Sequence, residues 1–339
     1  MTVYSPPAGS IGILGTGSYL PGEPVGNDTV AARAGVTAEW IERKTGIVER
    51  HYAADHEAAS DLAAEAAVRA LDDAGLRARD VGWIVVATST PDHPQPATAA
   101  LVQHRIGAAG AMAFDVNAVC AGFATALHTG ARLLAVPEAD GGRRCALVVG
   151  AEVYSRILDR GDRRTAPLFG DGAGAVVLGP VAPGRGLLGT GMGSYGHLHG
   201  LIGVEAGGSR LPASEKTLLR GDHHFRMRGR DVRDFVVREL PAAVAGTLEA
   251  FAVDPGEVAH FVPHQANGEM LRSLAGSLGL PRARVHLTVD RHGNTGAASV
   301  PVTLDHVARD GALAEDDLLF LAGFGGGMTV GTALLRWGR

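Results

Sequence analysis

LDDAGLRARDVGWIV, residues 71–85, and LEAFAVDPGEVAHFV, residues 248–262, match at a shift of 177 residues. Each reads as a helix end, a turn, an acidic residue followed by valine, and then a strand. Further pairs keep nearly the same spacing: Ile106-Gly107 against Leu278-Gly279, and ALVVG at 146–150 against LFLAG at 319–323. Such a repeat implies an internal duplication, not two unrelated domains. The apolar runs WIVVAT, CALVVG and DLLFLAG lack alternation, which predicts strands buried on both faces. DLAAEAAVRALDDAG and VVRELPAAVAGTLEAF carry helical patterning. Strands and helices alternate, so each half, 1–180 and 181–339, is expected to be α/β with a mostly parallel sheet. Helices sandwiched between two such sheets make a five-layered α-β-α-β-α body. The Gly-, His- and Arg-rich stretch 183–230 predicts an irregular insertion beside a cleft.

Composition narrows the function. With 339 residues and 46% hydrophobic content the chain can bury a large core. A net charge of -5 gives no basic footprint for nucleic acid or an anionic membrane. Two cysteines make no disulfide framework, and neither sits at zinc-ligand spacing, so no metal and a reducing cytoplasm are expected. The start MTVYSPPAGS has no signal-peptide pattern, and no apolar run is long enough for a membrane span.

Three places could carry chemistry. In DVNAVCAGF, residues 115–123, Cys120 follows a predicted strand and opens an apolar helix. Unpaired N–H groups at a helix N-terminus favour thiolate, so the thiol pKa is expected to fall. Taken alone, a buried inert cysteine competes with a nucleophile, and Cys145 inside CALVVG reads as core. In FVPHQAN, residues 261–267, His264 ends a strand at the edge where α/β folds expose site residues. Asn294, in DRHGNTGAASVP at 290–301, belongs to the element that corresponds to the Cys120 element, although a turn asparagine is the plainer reading. LAGFGGGMTVGTALL, residues 321–335, permits close backbone approach to a ligand at its glycines, but it matches no nucleotide-binding pattern.

Taken jointly, AVCAGF, FGDGAGAVVL, VPHQAN, GNTGAASVP and GFGGG resemble the β-ketoacyl-ACP synthase III family of the thiolase superfamily. The likeness runs from GTGSYLP at 15–21 through WIERKTGIVER at 40–50 to GTALLRW near the end. It implies the five-layered thiolase fold and a cytoplasmic homodimer. Cys120 would take an acyl group from acyl-CoA, with the oxyanion held by the N–H groups of Cys120 and Gly326. His264 and Asn294 would stabilise the enolate left when a malonyl thioester, on CoA or on an acyl carrier protein, loses carbon dioxide. The thiolases proper carry a second cysteine where this chain has Phe324. Trp40 and Arg163 match positions that sandwich the adenine of CoA, and Lys44 stands where the family commonly has Arg. No cofactor is permanently bound; CoA or phosphopantetheine thioesters are substrates.

The chain also departs from that pattern. Positions matching the carrier-docking face carry Asp234, Glu269, Gly276 and Ser277, which weakens docking of an acidic carrier unless Arg226, Arg228, Arg230 and Arg233 substitute. Gln95 replaces a phenylalanine that closes the acyl pocket across the dimer, and Tyr154, Phe169 and Phe324 are the other residues expected around the acyl group. These departures point to a starter-unit enzyme of polyketide or related secondary metabolism. The alternatives are acyl transfer to a hydroxyl or amine without decarboxylation, housekeeping initiation of fatty-acid synthesis, and a non-catalytic dimer partner.

Overall fold

The structure, a computed structural model, describes residues 1–5, 10–135 and 145–338. The run VGWIVVA forms the strand Val81–Ala87, and its side chains show why the sequence does not alternate. Ile84 and Val86 pack against Ala63, Ala66, Ala67 and Ala70 of the helix Ala59–Asp73. Val85 and Ala87 point the other way, onto Phe123, Ala126 and Leu127 of the helix Gly122–Leu134. With apolar layers on both faces, a polar residue at either parity would be buried without water.

The first sheet runs in the order Ile11–Tyr19, Gly172–Pro180, Cys145–Glu152, Val81–Ala87, Met112–Val116. The last three strands are parallel, and Gly172–Pro180 is antiparallel to both its neighbours. The second sheet repeats this as Gly186–Ser194, Thr329–Arg336, Leu318–Gly325, Val258–Pro263, Arg284–Val285, with Thr329–Arg336 as the antiparallel member. The N-terminal strand Thr2–Tyr4 crosses over to extend the edge of this second sheet beside Gly186–Ser194.

Three clusters of buried side chains correspond to three helical layers. Ala59–Asp73 and Thr98–Arg105 cover the outer face of the first sheet. Gly122–Leu134 and Ser299–Arg309 lie between the sheets, where Phe123, Leu127, Val300 and Leu304 meet strand residues of both. Gly229–Ala250 and Gly268–Leu274 cover the second sheet through Phe235, Leu240, Val244 and Leu271. The body is therefore five-layered, as expected.

One expectation needs correcting. The stretch 183–230 is not irregular throughout, because it opens with the nine-residue strand Gly186–Ser194. Its glycines disguise it: a Cβ on Gly189 would lie 1.8 Å from the Phe251 ring, and one on Gly191 would lie 2.6 Å from Thr332 Oγ1. At Gly189 and Gly191 the strand lies too close to its neighbours for any side chain, and this glycine content hides the pattern that usually betrays a strand.

Close approach also limits the other sheet. A Cβ on Gly17 would stand 2.4 Å from both the Ala66 carbonyl oxygen and the Ala70 nitrogen. Gly17→Ala should therefore push the helix Ala59–Asp73 off its sheet and cost about 1–3 kcal/mol in chemical denaturation. An unchanged midpoint would mean that the contact is softer than the geometry states.

Candidate active site

Cys120 is placed by three constraints. The strand Met112–Val116 ends, a 3-10 turn covers Val119–Ala121, and the helix Gly122–Leu134 begins. Val119 has φ +47°, a conformation that costs a β-branched residue about 1–3 kcal/mol and that the surroundings must enforce. Opposite, the glycine strand has no side chain to interfere: a Cβ on Gly325 would be 2.6 Å from Cys120 Cβ and 3.1 Å from its sulfur. Gly325 is thus the glycine against the nucleophile candidate, while Gly326 packs over Val119. The Tyr154 hydroxyl and the N–H of Cys120 itself stand beside the sulfur.

The expected thiol acidity is not found. Burial, and then the nearby carboxylate of Glu152, push the Cys120 thiol up to about 12. Desolvation outweighs the helix N-terminus because the residue is only 7% exposed. In the unliganded enzyme the group rests as a thiol.

His264 follows the strand Val258–Pro263, and its backbone N–H donates to the Ala322 carbonyl at 2.7 Å. Its Nδ1 meets Ser299 Oγ at 2.7 Å. The Gln265 N–H donates to the same oxygen at 3.2 Å, so the arrangement that uses every group has Ser299 donating to Nδ1. The ring proton then sits on Nε2. Burial holds His264 down at about 3, so the ring is neutral at physiological pH. Asn294 is fixed in a similar way. Its Oδ1 accepts from the Gly296 N–H at 2.9 Å, and its backbone bonds Leu168 and Gly170, which leaves the NH₂ as the free donor. Both side chains are preorganised as neutral donors.

Cys120, His264 and Asn294 line one cavity of about 1040 Å³. The structure also brings Trp40, Lys44, Arg163, Phe169 and Phe324 to its wall, together with Arg43, Arg228, Arg230 and Arg233. Phe324 meets the His264 ring edge-on, with centroids 5.1 Å apart. Tyr154 does not line the cavity. It is buried behind Cys120, stacked on Phe169 at 4.5 Å, because its hydroxyl is drawn to Ser89. Gln95 lies on the surface and does not reach the cavity of its own chain. Sequence reasoning missed Ser299 and Glu152. Ser299 lies inside the quoted GNTGAASVP, and its separation of 35 residues from His264 carries no local pattern.

The histidine gives a measurable consequence. The folded pKa of His264 lies below its ordinary 6.5, so this residue contributes a loss of stability as pH falls below that value, when only the unfolded chain takes up the proton. In NMR of ¹⁵N-imidazole-labelled protein, the His264 ring should stay neutral from about pH 8 down to about pH 5. A midpoint near its ordinary value would contradict the burial described here.

With this geometry in place, comparison with known proteins is direct. A model of 3-oxoacyl-[acyl-carrier-protein (ACP)] synthase III matches residues 114–196, and its C-terminal companion matches residues 248–337. Acetoacetyl CoA synthase NphT7 of Streptomyces sp. (strain CL190) is 51% identical over 96% of this chain and 98% of that protein. The β-ketoacyl-[acyl-carrier-protein] synthase III of Clostridioides difficile (strain 630) is 42% identical over 96% of this chain and 98% of its own. Among solved structures, the synthase III of Pseudomonas aeruginosa PAO1 superposes with a TM-score of 0.86 at 38% identity, covering 97% of this chain and 99% of that one. A priming β-ketosynthase from a polyketide biosynthetic pathway superposes at 0.87 with 33% identity, covering 98% of each chain. The chain belongs to the 3-oxoacyl-[acyl-carrier-protein] synthase III family of acyl-transferring condensing enzymes.

Proposed function

We propose that this enzyme loads an acyl group from acyl-CoA onto Cys120 and condenses it with malonyl-CoA, with loss of carbon dioxide, to release a 3-oxoacyl-CoA that primes a secondary-metabolic pathway. One observation carries the reading: a single cavity joins a cationic rim to a buried Cys-His-Asn set. At the rim Lys44, Arg163, Arg230 and Arg233 make no ion pair among the described residues, and they suit the phosphates of CoA. Trp40, half-buried against Val30 and Ile41, offers a face for the adenine.

CoA as acceptor carrier is supported by two features. The relative 51% identical to this chain is named for acetoacetyl-CoA synthesis. On the face expected to dock an acidic carrier, Asp234, Gly276 and Ser277 are exposed and uncharged or negative, and Glu269 is tied to Arg272 at 2.5 Å.

In the first half-reaction the sulfur attacks the thioester, and backbone N–H groups at Cys120 and in the loop Gly325-Gly326 receive the oxyanion. In the second, His264 Nε2–H and the Asn294 NH₂ donate to the thioester oxygen as carbon dioxide departs. The carbanion then attacks the acyl group on Cys120. The free edge of Met112–Val116, with Met112 57% exposed, supports pairing with a second copy there, so the working form is read as a homodimer with Gln95 near the partner's cavity. No helix among the described residues is long and apolar enough to cross a membrane, in keeping with a cytoplasmic enzyme.

The test is intact mass after incubation with acyl-CoAs. Acetyl-CoA or a longer acyl-CoA should leave a stable adduct on the wild type and none on Cys120→Ala. A retained malonyl adduct without carbon dioxide release would instead favour simple acyl transfer. His264→Ala and Asn294→Ala should still acylate, yet lose condensation by about 10²–10³-fold. Activity with malonyl-CoA should exceed activity with a malonyl carrier protein, and the reverse ranking would sink the CoA-acceptor reading.

A further inference from the structure

Glu152 ends the strand Cys145–Glu152 and is fully buried, yet the half-reactions above give it no part. Its carboxylate accepts from the Ser89 hydroxyl at 2.9 and 3.0 Å, from the Ser89 N–H at 3.1 and 3.2 Å, and from the Thr90 hydroxyl at 2.7 Å. Ser89 Oγ lies 3.0 Å from the Tyr154 hydroxyl, where either atom can donate. The Tyr154 hydroxyl in turn is the side-chain polar group beside the Cys120 sulfur. A hydrogen-bonded run of hydroxyls, Tyr154 and then Ser89, therefore leads from beside the sulfur to a buried carboxylate.

The surroundings define what that carboxylate can do. It is faced by Ser89 and Thr90 after the strand Val81–Ala87, by Cys120, by Tyr154, and by the N–H of Ala297 ahead of the helix Ser299–Arg309. Cys120 and Tyr154 are its titratable neighbours, and no cationic side chain pairs with it among the described residues. Gly296, at φ +55°, leaves the space: a Cβ there would stand 2.9 Å from Glu152 Cγ and 2.6 Å from Tyr154 Cε2. Burial raises Glu152 to about 7, which brings its proton uptake into the working range.

We propose that Glu152 is the proton acceptor of Cys120, reached through the hydroxyls of Tyr154 and Ser89. The inference rests on the reading of Cys120 as the acylated nucleophile. The thiol gives its proton to the Tyr154 oxygen, Tyr154 passes its own to Ser89, and Ser89 passes its own to the carboxylate. The pocket then holds a thiolate and a carboxylic acid, with one negative charge before and after the transfer. Direct loss of the thiol proton to water would leave two buried anions side by side. The thiolate forms a bond to the acyl carbon, the C–S bond to CoA breaks, and the CoA thiolate takes a proton from solvent. In condensation the carbanion forms the new C–C bond and Cys120 leaves as thiolate. It recovers the proton from Glu152 along the same path, which restores the starting state.

The rate of Cys120 acylation by acetyl-CoA, followed by rapid-quench mass spectrometry against pH, tests this. The wild-type rate should rise about tenfold between about pH 6 and about pH 8 and then level off, as a single acceptor deprotonates. Glu152→Gln should be at least about tenfold slower at neutral pH and should climb without levelling. Tyr154→Phe and Ser89→Ala keep the carboxylate and cut the path, so they should show the same profile; they carry the test if the buried glutamine prevents folding. A faster Glu152→Gln enzyme would mean that the carboxylate only repels the thiolate, and wild-type profiles in Tyr154→Phe and Ser89→Ala would remove the path; either result overturns the inference alone. Absence of any wild-type adduct would overturn the proposed function itself.

Discussion

Side-chain-free contacts between each sheet and the central-helix start of the other half hold Cys120, His264 and Asn294 in one cavity. The Cys120 turn rests on the second sheet where a Cβ on Gly323 would be 3.0 Å from Ala121 Cα and one on Gly325 would touch Cys120 itself. In return, the turn after Asn294 rests on the first sheet, where a Cβ on Gly150 would be 2.4 Å from the Ala297 carbonyl oxygen. A Cβ on Gly174 would likewise stand 2.5 Å from the Val302 nitrogen. Each half thus inserts the start of its central helix into a glycine-lined seat on the other. The duplicated architecture matters for this reason: Cys120 and Asn294 come from equivalent elements, His264 follows the strand Val258–Pro263 beside them, and mutual seating fixes their separation.

Such tight seating dries the site. Burial drives Cys120 and Glu152 up, and His264 down. Each shift favours the neutral form, as desolvation requires. A neutral histidine can donate from Nε2 only if its tautomer is fixed, which is the contribution of Ser299. Under the proposed function the Cys120 thiol has to lose its proton at the moment of reaction, and the carboxylate behind it is the group whose pKa burial has brought closest to neutrality.

Much of this was legible in the sequence. The repeat separated by 177 residues and the unalternated strands gave the layers, and five short motifs in one order gave the family. Trp40, Lys44, Arg163, Phe169 and Phe324 all reach the cavity wall with Cys120, His264 and Asn294. What stayed hidden depended on three-dimensional closeness. Gly186–Ser194 reads as a loop because its neighbours leave no room for a side chain at Gly189 and Gly191. Tyr154 was expected on the acyl pocket, yet hydrogen bonding turns it behind the sulfur. The thiol was expected to be acidic because a helix start can be read from sequence, whereas the depth of burial cannot. Glu152, at the end of an otherwise apolar strand, was the one available signal: a carboxylate in a segment buried on both faces needs partners there.

Charge placement along the cavity also bears on the choice between condensation and simple transfer. Lys44, Arg163, Arg230 and Arg233 stand at the rim, whereas the inner wall offers Phe169, Phe324, a neutral imidazole and an amide. Under the proposed function, the phosphates of the donor stay with the cations while the malonyl carboxylate is carried inward toward these uncharged groups and away from the cations described at the rim. Two unit charges 4 Å apart interact by about 1 kcal/mol in water and about 4 kcal/mol at the effective dielectric of a protein surface, so the missing cation is felt more strongly inside. Loss of carbon dioxide moves the negative charge from that unsupported carboxylate to the thioester oxygen, where His264 and Asn294 donate. The site therefore stabilises the charge where decarboxylation puts it and not where the substrate first carries it, which is the differential binding that a rate enhancement requires. A transfer that kept the carboxylate would gain nothing from the Asn294 amide and would leave the buried anion without a partner.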